Sequence, residues 1–262
     1  MDCRVKPGND DGGTVIRLMA DVTLVPIERL ELRFARTSWP FAAARRDEID
    51  RYFAELRRGK PELWNGRVLV LQTFAVADGV FRGTYLETDF ASFLAWRDWG
   101  FPDQTVRNCF AMGALRAADG AFVLGVMASH TANAGKVYFI GGTPDPHDVA
   151  GERVDLERSV LRELAEETGL SAETVRPEPG WHAIFDEARI AMVRVLRTAE
   201  PAAALREKIL AFLARQRRAE LAGLHVVRSG ADLDARMPAF VPKFLEHVWR
   251  TAEDRRPTPE DS

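Results

Sequence analysis

Cysteine is nearly absent from this chain: Cys3 and Cys109 are its only two. That excludes a disulfide-stapled scaffold and fits a reducing compartment, so a cytoplasmic setting is expected. Long apolar runs are missing too, and none approaches the roughly 20 residues of a membrane-spanning helix. The opening MDCRVKPGNDDGGTV is polar and glycine-rich, without the apolar segment of a secretory signal. Nor is one sign of charge in excess: 36 Lys and Arg against 39 Asp and Glu leave a formal −3. No global field therefore recruits nucleic acid or an anionic membrane, and neither is expected as a partner. An anionic ligand has to be met locally, by arginines or by a metal. Internal repeats are absent as well.

What is present is an ordinary globular composition, 46% apolar and 29% charged over 262 residues, enough for one large domain or two small ones. Residues 1–18 are expected to form a disordered leader, with Met19 as an alternative start, and residues 254–262 a disordered tail. Residues 27–34 alternate Leu30, Leu32 and Phe34 as a half-buried strand does. After Pro40, residues 41–56 space Ile49, Tyr52, Phe53 and Leu56 along one helical face. The strands Val68 to Ala77 and Val80 to Leu86 flank Asp78-Gly79, a hairpin signal, and residues 90–99 read as a helix. Together these predict a small α+β unit over residues 19–105.

A second pattern covers residues 106–253. It opens with a hairpin, Cys109 to Leu115 and Ala121 to Met127, around Asp119-Gly120. A loop to Gly135, a strand Lys136 to Ile140 and the pair Gly141-Gly142 follow. Next come an acidic helix from Leu156 to Thr168, strands across Trp181 to Arg197 broken near Asp186-Glu187, and a helix Ala202 to Arg218. A short strand Leu224 to Val227 and a helix Pro242 to Thr251 close the chain. That order predicts an α/β sandwich, not a parallel βαβ array.

The acidic helix holds the strongest chemical signal, R-E-L-A-E-E-T-G-L from Arg162 to Leu170. Residues three and four apart share a helix face, so Glu163, Glu166 and Glu167 crowd one side, with Arg162 one turn before Glu166. Leu156, Val160, Leu161 and Leu164 form the packing side. Asp155 suits an N-cap, and Gly169 suits the left-handed C-cap. Like charges at that spacing destabilise a bare helix. Their retention points to a cation that neutralises them.

These residues resemble the signature of the Nudix hydrolase superfamily, whose second half is Arg-Glu-aliphatic-any-Glu-Glu-any-Gly-aliphatic. Gly141-Gly142 after Tyr138-Phe139-Ile140 is similar to the family's entry to that motif. The resemblance implies an α/β/α sandwich with a mixed sheet over about residues 108–250, the N-terminal α+β unit being an extension. It also implies that Glu166 and Glu167 ligate a divalent cation, that Glu163 ligates it or acts as base, and that Arg162 orients the glutamates. The main-chain carbonyl at Gly142 would complete the set. Oxygen donors of this kind suit Mg²⁺ or Mn²⁺. The approach loop, Thr143 to Val154, is longer than the family's. Counting forward puts Asp148 at the motif's first glutamate; counting back puts Val154 there, with Glu152 and Asp155 close by. Many relatives add a glutamate from a downstream loop. The candidates are Glu187, Glu207 and Glu220, and Glu220, just before a strand, is the choice.

Outside the motif, Lys136 or His130 is placed to contact substrate phosphate, or belongs to a polar loop that turns at Asn133-Ala134-Gly135. Trp64 either stacks on a base or fills the core, the commoner role of tryptophan. The basic residues from Arg206 to Arg218 read as a solvated helix face. The function implied is a metal-dependent pyrophosphohydrolase. Its small-molecule substrate would be a nucleoside diphosphate linked to a group X: a nucleotide sugar, a dinucleotide or a coenzyme A derivative. A homodimer is the candidate assembly. The rival from another class is a non-catalytic nucleotide-binding module on the same fold.

Overall fold

The computed structural model describes residues 22–61 and 63–254. The expected leader and all but the first residue of the expected tail lie outside these; Asp254 still belongs to the last helix. Among the described residues there are two mixed sheets and six α-helices. The chain begins with β1 (Thr23–Ile27) and β2 (Arg29–Ala35), then α1 (Pro40–Ala44) and α2 (Arg46–Gly59). The hairpin β3 (Arg67–Ala77) and β4 (Val80–Asp89) leads to α3 (Phe90–Asp98). After it come β5 (Asn108–Arg116), β6 (Phe122–Met127), β7 (Val137–Tyr138) and β8 (Ile140–Gly142). The approach loop holds β9 (Val149–Ala150) and β10 (Arg153–Val154), and then the acidic helix α4 (Leu156–Thr168) begins. The last part is β11 (Arg176–Pro177), β12 (Trp181–Asp186), β13 (Arg189–Arg197), α5 (Ala202–Leu213), β14 (Leu221–Val227) and α6 (Phe240–Asp254).

The larger sheet runs β1-β12-β13-β5-β6-β14, with β7, β8 and β11 paired beside this path, and the smaller runs β3-β4-β2-β10-β9. Most pairs are antiparallel, but β13 with β5 and β2 with β4 are parallel. One face of the larger sheet packs against α6 through Met112, Val193, Phe244 and Leu245. Its other face packs against α4, α5 and the smaller sheet through Ala111, Met192, Val160, Leu205 and Leu71. Helices thus cover both faces of the sheet, the α/β/α sandwich that the resemblance implied. In β3, Leu69 and Leu71 enter that second core while Val68 and Val70 enter a third one with α2 and α3. A strand buried on both faces reads as a continuous apolar run, not as an alternation. Among the described residues no helix is long and apolar enough to cross a membrane.

Several expected elements are subdivided. The strand over 27–34 breaks at Glu28: β1 joins the larger sheet against β12, whereas β2 joins the smaller. The helix over 41–56 breaks at Arg45 into α1 and α2. The helix expected to reach Arg218 ends at Leu213, so Arg215, Arg217 and Arg218 lie on the loop beyond it. The strand over 136–140 is β7 and β8, interrupted at Phe139.

That last interruption builds the site. β5 and β6 pair directly only where Leu115 faces Val123 and Arg116 faces Phe122. Beyond that the hairpin opens, and the segment 137–142 wedges in, with β7 on β6 and β8 on β5. Gly141 adopts φ +151°, and a Cβ there would lie 2.2 Å from the Ala111 carbonyl oxygen. Only glycine lets the two backbones approach so closely.

Candidate active site

α4 lies along the wedge. Asp155 caps its N-terminus, accepting from the Arg158 amide at 3.1 Å, and Gly169 ends it at φ 72°. Burial of Leu156, Val160 and Leu164 sets its rotation. Four-residue spacing then turns Glu163 and Glu167 toward β8. A Cβ on Gly142 would meet Glu163 Oε1 at 3.3 Å, so that carboxylate rests against the glycine backbone. The Gly141 amide donates to Glu167. Glu166 points outward and is mostly exposed.

Arg162 is the charge hub. Its Nη2 donates to both carboxylate oxygens of Asp148, at 3.1 and 3.3 Å, and lies 3.6 Å from Asp145. Its Nη1 stands 2.9 Å from Glu163 and 3.3 Å from Glu166. Asp148 has no solvent exposure. It closes a one-turn capping box with Asp145, whose amide donates to it at 3.1 Å. The longer approach loop thus delivers a buried carboxylate behind the arginine. Burial alone would lower the Arg162 pKa, yet Glu163 and Asp148 raise it above the ordinary arginine value.

The glutamates themselves are short of positive charge. Burial pushes the Glu163 carboxyl up to about 7; Arg162 opposes this, while Glu166, Glu220 and Asp148 add to it. Burial also raises Glu167 well above the carboxylate range, with Glu163 and Glu220 adding and the Gly141 amide opposing. Tyr138 is raised by burial too, and its hydroxyl accepts from Asn133 at 3.2 Å. Among the described residues no three His, Cys, Asp or Glu side chains are drawn into ready-made metal spacing. The donor chemistry nevertheless fits a hard divalent cation, with buried carboxylate oxygens that repel one another beside an exposed neighbour and glycine main chain.

The structure gathers most of the sequence candidates around one cleft of about 490 Å³. Trp64, His130, Gly142, Arg162, Glu163, Glu166 and Glu220 line it. Glu220 is the downstream acid that reaches the site. Glu187, at the tip of the β12–β13 hairpin, and Glu207, exposed on α5, do not line it. Trp64 is 58% exposed, so the core reading of it fails; its ring lies over Gly66, 5.9 Å from Phe90. Lys136 lines an adjoining cavity instead. Asp145 and Arg218 also line the cleft, and reading Arg218 as part of a helix face missed it. No motif marks either residue; loop geometry alone brings them in. For Asp148, counting forward from Gly142 is the reading that agrees with the geometry.

No family model matches the chain, and no curated protein matches it. Among solved structures it is similar to RenU, a Nudix hydrolase from M. smegmatis, at 18% identity over 57% of this chain and 87% of that one, TM-score 0.36. It is also similar to the MutT protein from Methanosarcina mazei Go1, at 20% identity over 57% of this chain and 96% of that one, TM-score 0.40. The chemistry rests on the side chains.

Proposed function

We propose that this chain is a metal-dependent pyrophosphohydrolase of the Nudix type. Water attacks one phosphorus of a nucleoside diphosphate linked to a group X, releasing a nucleoside monophosphate and phospho-X. The observation that carries this reading is the Glu163 and Glu167 pair against Gly141-Gly142, Glu163 half-buried and Glu167 buried. Each carboxyl is raised first by burial and then by neighbouring acids, Glu166 and Glu220 for Glu163, and Glu163 and Glu220 for Glu167. Burying two like charges is costly unless a cation joins them. Glu163, Glu166 and Glu167, with the Gly142 carbonyl, would hold Mg²⁺ or Mn²⁺. When bound, that ion supplies Lewis acidity toward the diphosphate and toward water.

The remaining roles fall to the chain's own groups. Arg162 holds Glu163 and Glu166 in place and is itself held by Asp148. Glu163 or Glu220 takes the proton of the attacking water, an effect worth about 10²–10⁴-fold in comparable sites. Arg218 and His130, on the cleft wall, meet phosphate oxygens, and Lys136 meets the part of the substrate that leaves the cleft. Trp64, exposed at the rim, stacks on the substrate. In this reading residues 106–253 carry the chemistry, residues 19–105 add walls to the site, and the protein acts in the cytoplasm.

The test offers the purified protein Mg²⁺ and a panel of nucleotide sugars, dinucleotides and coenzyme A, with products resolved by chromatography. Turnover of one class, abolished by Glu167→Gln, supports the reading. Nucleotide binding without turnover of any member would instead support a binding module.

A further inference from the structure

We propose that a second cavity beside the acidic cleft binds the nucleobase of the substrate, reading its amino-bearing edge with Asn108 and Asp186. The cavity holds about 380 Å³, within the roughly 300–1,000 Å³ range of small-molecule sites. It opens on the α6 side of the larger sheet and shares Tyr138, Gly141, Gly142 and Thr143 with the acidic cleft. A ligand can therefore lie across the glycine pair with one end in each. The assignment of the phosphate end rests on the diphosphatase reading; the assignment of this cavity rests on its own walls.

Those walls are aromatic from two directions. α3 supplies Phe90 and Phe93, whose rings are stacked 5.9 Å apart. β5 and α6 supply Phe110 and Phe240, 5.5 Å apart and edge-on. Flat apolar rings on both sides suit a planar heteroaromatic ring better than a hydroxyl-rich sugar or a flexible chain.

Three of the polar groups, Asn108, Asp186 and Arg189, lie together. Asn108 and Arg189 are register partners on adjacent parallel strands, so their side chains share the sheet face that carries Phe110 and Met112. Asn108 is 9% exposed, and its Oδ1 has no hydrogen-bond partner. Asp186 is ion-paired to Arg189 Nη2 at 3.0 Å, while Arg189 Nε is buried without a partner. A buried acceptor without a donor is a standing cost that a ligand N–H removes. Acceptors on Asn108 and Asp186 beside a donor on Arg189 complement an amino group adjacent to a ring nitrogen, the edge that adenine and cytosine present. Arg97 and Lys136 line this cavity as well, so it is the cation the acidic cleft would hold, not the charge of these walls, that directs the phosphates to the cleft.

Nucleosides test this without phosphate, metal or turnover. In protein labelled at the methionine methyls, Met112 lines this cavity, Met127 lines the acidic cleft and Met192 is buried in the core. In EDTA, adenosine or cytidine should shift the Met112 methyl saturably by ring current and leave Met192 unmoved. Purine riboside, which lacks the amino group, should bind at least about tenfold more weakly, and ribose should cause no shift. Asn108→Leu should erase the discrimination; should that variant fail to fold, the comparison of the two nucleosides on the wild type decides. Equal binding of adenosine and purine riboside, or no Met112 shift with any nucleoside, overturns the proposal even if diphosphate hydrolysis is found. A Met112 shift in a wild-type protein that hydrolyses no member of the panel would keep the proposal and overturn the diphosphatase reading.

Discussion

Arg162 Nη2 stands 3.1 Å from Oδ2 of Asp148, a fully buried carboxylate carried by the loop that leads into the acidic helix. The relationship ties loop to helix. It also fixes the arginine that faces Glu163 and Glu166.

Asp148→Asn keeps the shape of that contact and removes its charge. Outer partners of ligating groups are commonly worth about 10–100-fold in metal affinity or activity. A loss of that size is expected, falling mainly on kcat and on the metal concentration needed, with KM for the substrate little changed. Asp148→Ala removes the nearest buried partner of Arg162 and should cost about 3 kcal/mol, the lower end for a broken buried pair, because Asp145, Glu163 and Glu166 remain. Steady-state kinetics and urea unfolding check both.

The two glycines of the wedge should respond differently to alanine. At Gly141 a Cβ meets backbone at 2.2 Å and the φ of +151° is unfavourable for alanine. Gly141→Ala should therefore fail to fold or unfold at much lower denaturant. At Gly142 a Cβ meets only the Glu163 carboxylate, at 3.3 Å. Gly142→Ala should fold, with its loss confined to activity and metal affinity. Equal melting temperatures for the two variants would contradict this.

Stability should fall as pH rises in the metal-free protein. The folded state holds the Glu163 proton up to about 7, against an ordinary value of 4.5. The native chain thus binds a proton that the unfolded chain has lost, so this contribution is complete below about 4.5 and is lost as pH climbs through about 7. Glu167, also raised, acts in the same direction. In EDTA the melting temperature should drop between about pH 5 and 8, Glu163→Gln should flatten that slope, and Mn²⁺ should raise melting most at the alkaline end. A slope unchanged by Glu163→Gln would count against the buried-charge reading.

A histidine sets an opposite, acidic limit. His182 on β12 packs edge-on against Phe244 of α6 at 5.2 Å, with His247 5.4 Å away and its own Nδ1 unpartnered. Burial lowers its pKa, and His247 lowers it further. A depressed histidine contributes stability above about 6.5 that is lost as pH falls through its folded value. His182→Phe keeps a ring against Phe244 and should melt with less acid sensitivity than the wild type as pH falls below about 6.5.

Much of this was legible in the sequence because it is local. Asp155, the apolar stripe through Leu156, Val160 and Leu164, and Gly169 defined α4 to the residue, and Asp78-Gly79 marked the β3–β4 turn. The parts that were not legible depend on distant pairing. Nothing near Phe139 reveals that β7 and β8 are inserted between β5 and β6, because the partners of that wedge lie on other strands. Asn108 and Arg189 meet only because β13 pairs parallel with β5 in one register. The alternating basic and apolar residues after Ala202 suggested a helix through Arg218, but α5 stops at Leu213 and the loop beyond it carries Arg218 to the cleft. The two roles open to Trp64, stacking or core, could not be separated in the sequence, because tryptophan favours the core by type while its 58% exposure is set by tertiary packing.

The central claim, that the acidic helix holds a divalent cation for attack on a diphosphate, is tested most directly by initial rates. The substrate is the best of the panel, titrated with Mn²⁺ for the wild type, Glu167→Gln and, as an exposed control, Glu187→Gln. The wild type and the control should show the same saturable dependence on Mn²⁺, with Glu167→Gln slower by on the order of 10²-fold or more. Rates independent of Mn²⁺ and equal in all three proteins would contradict it.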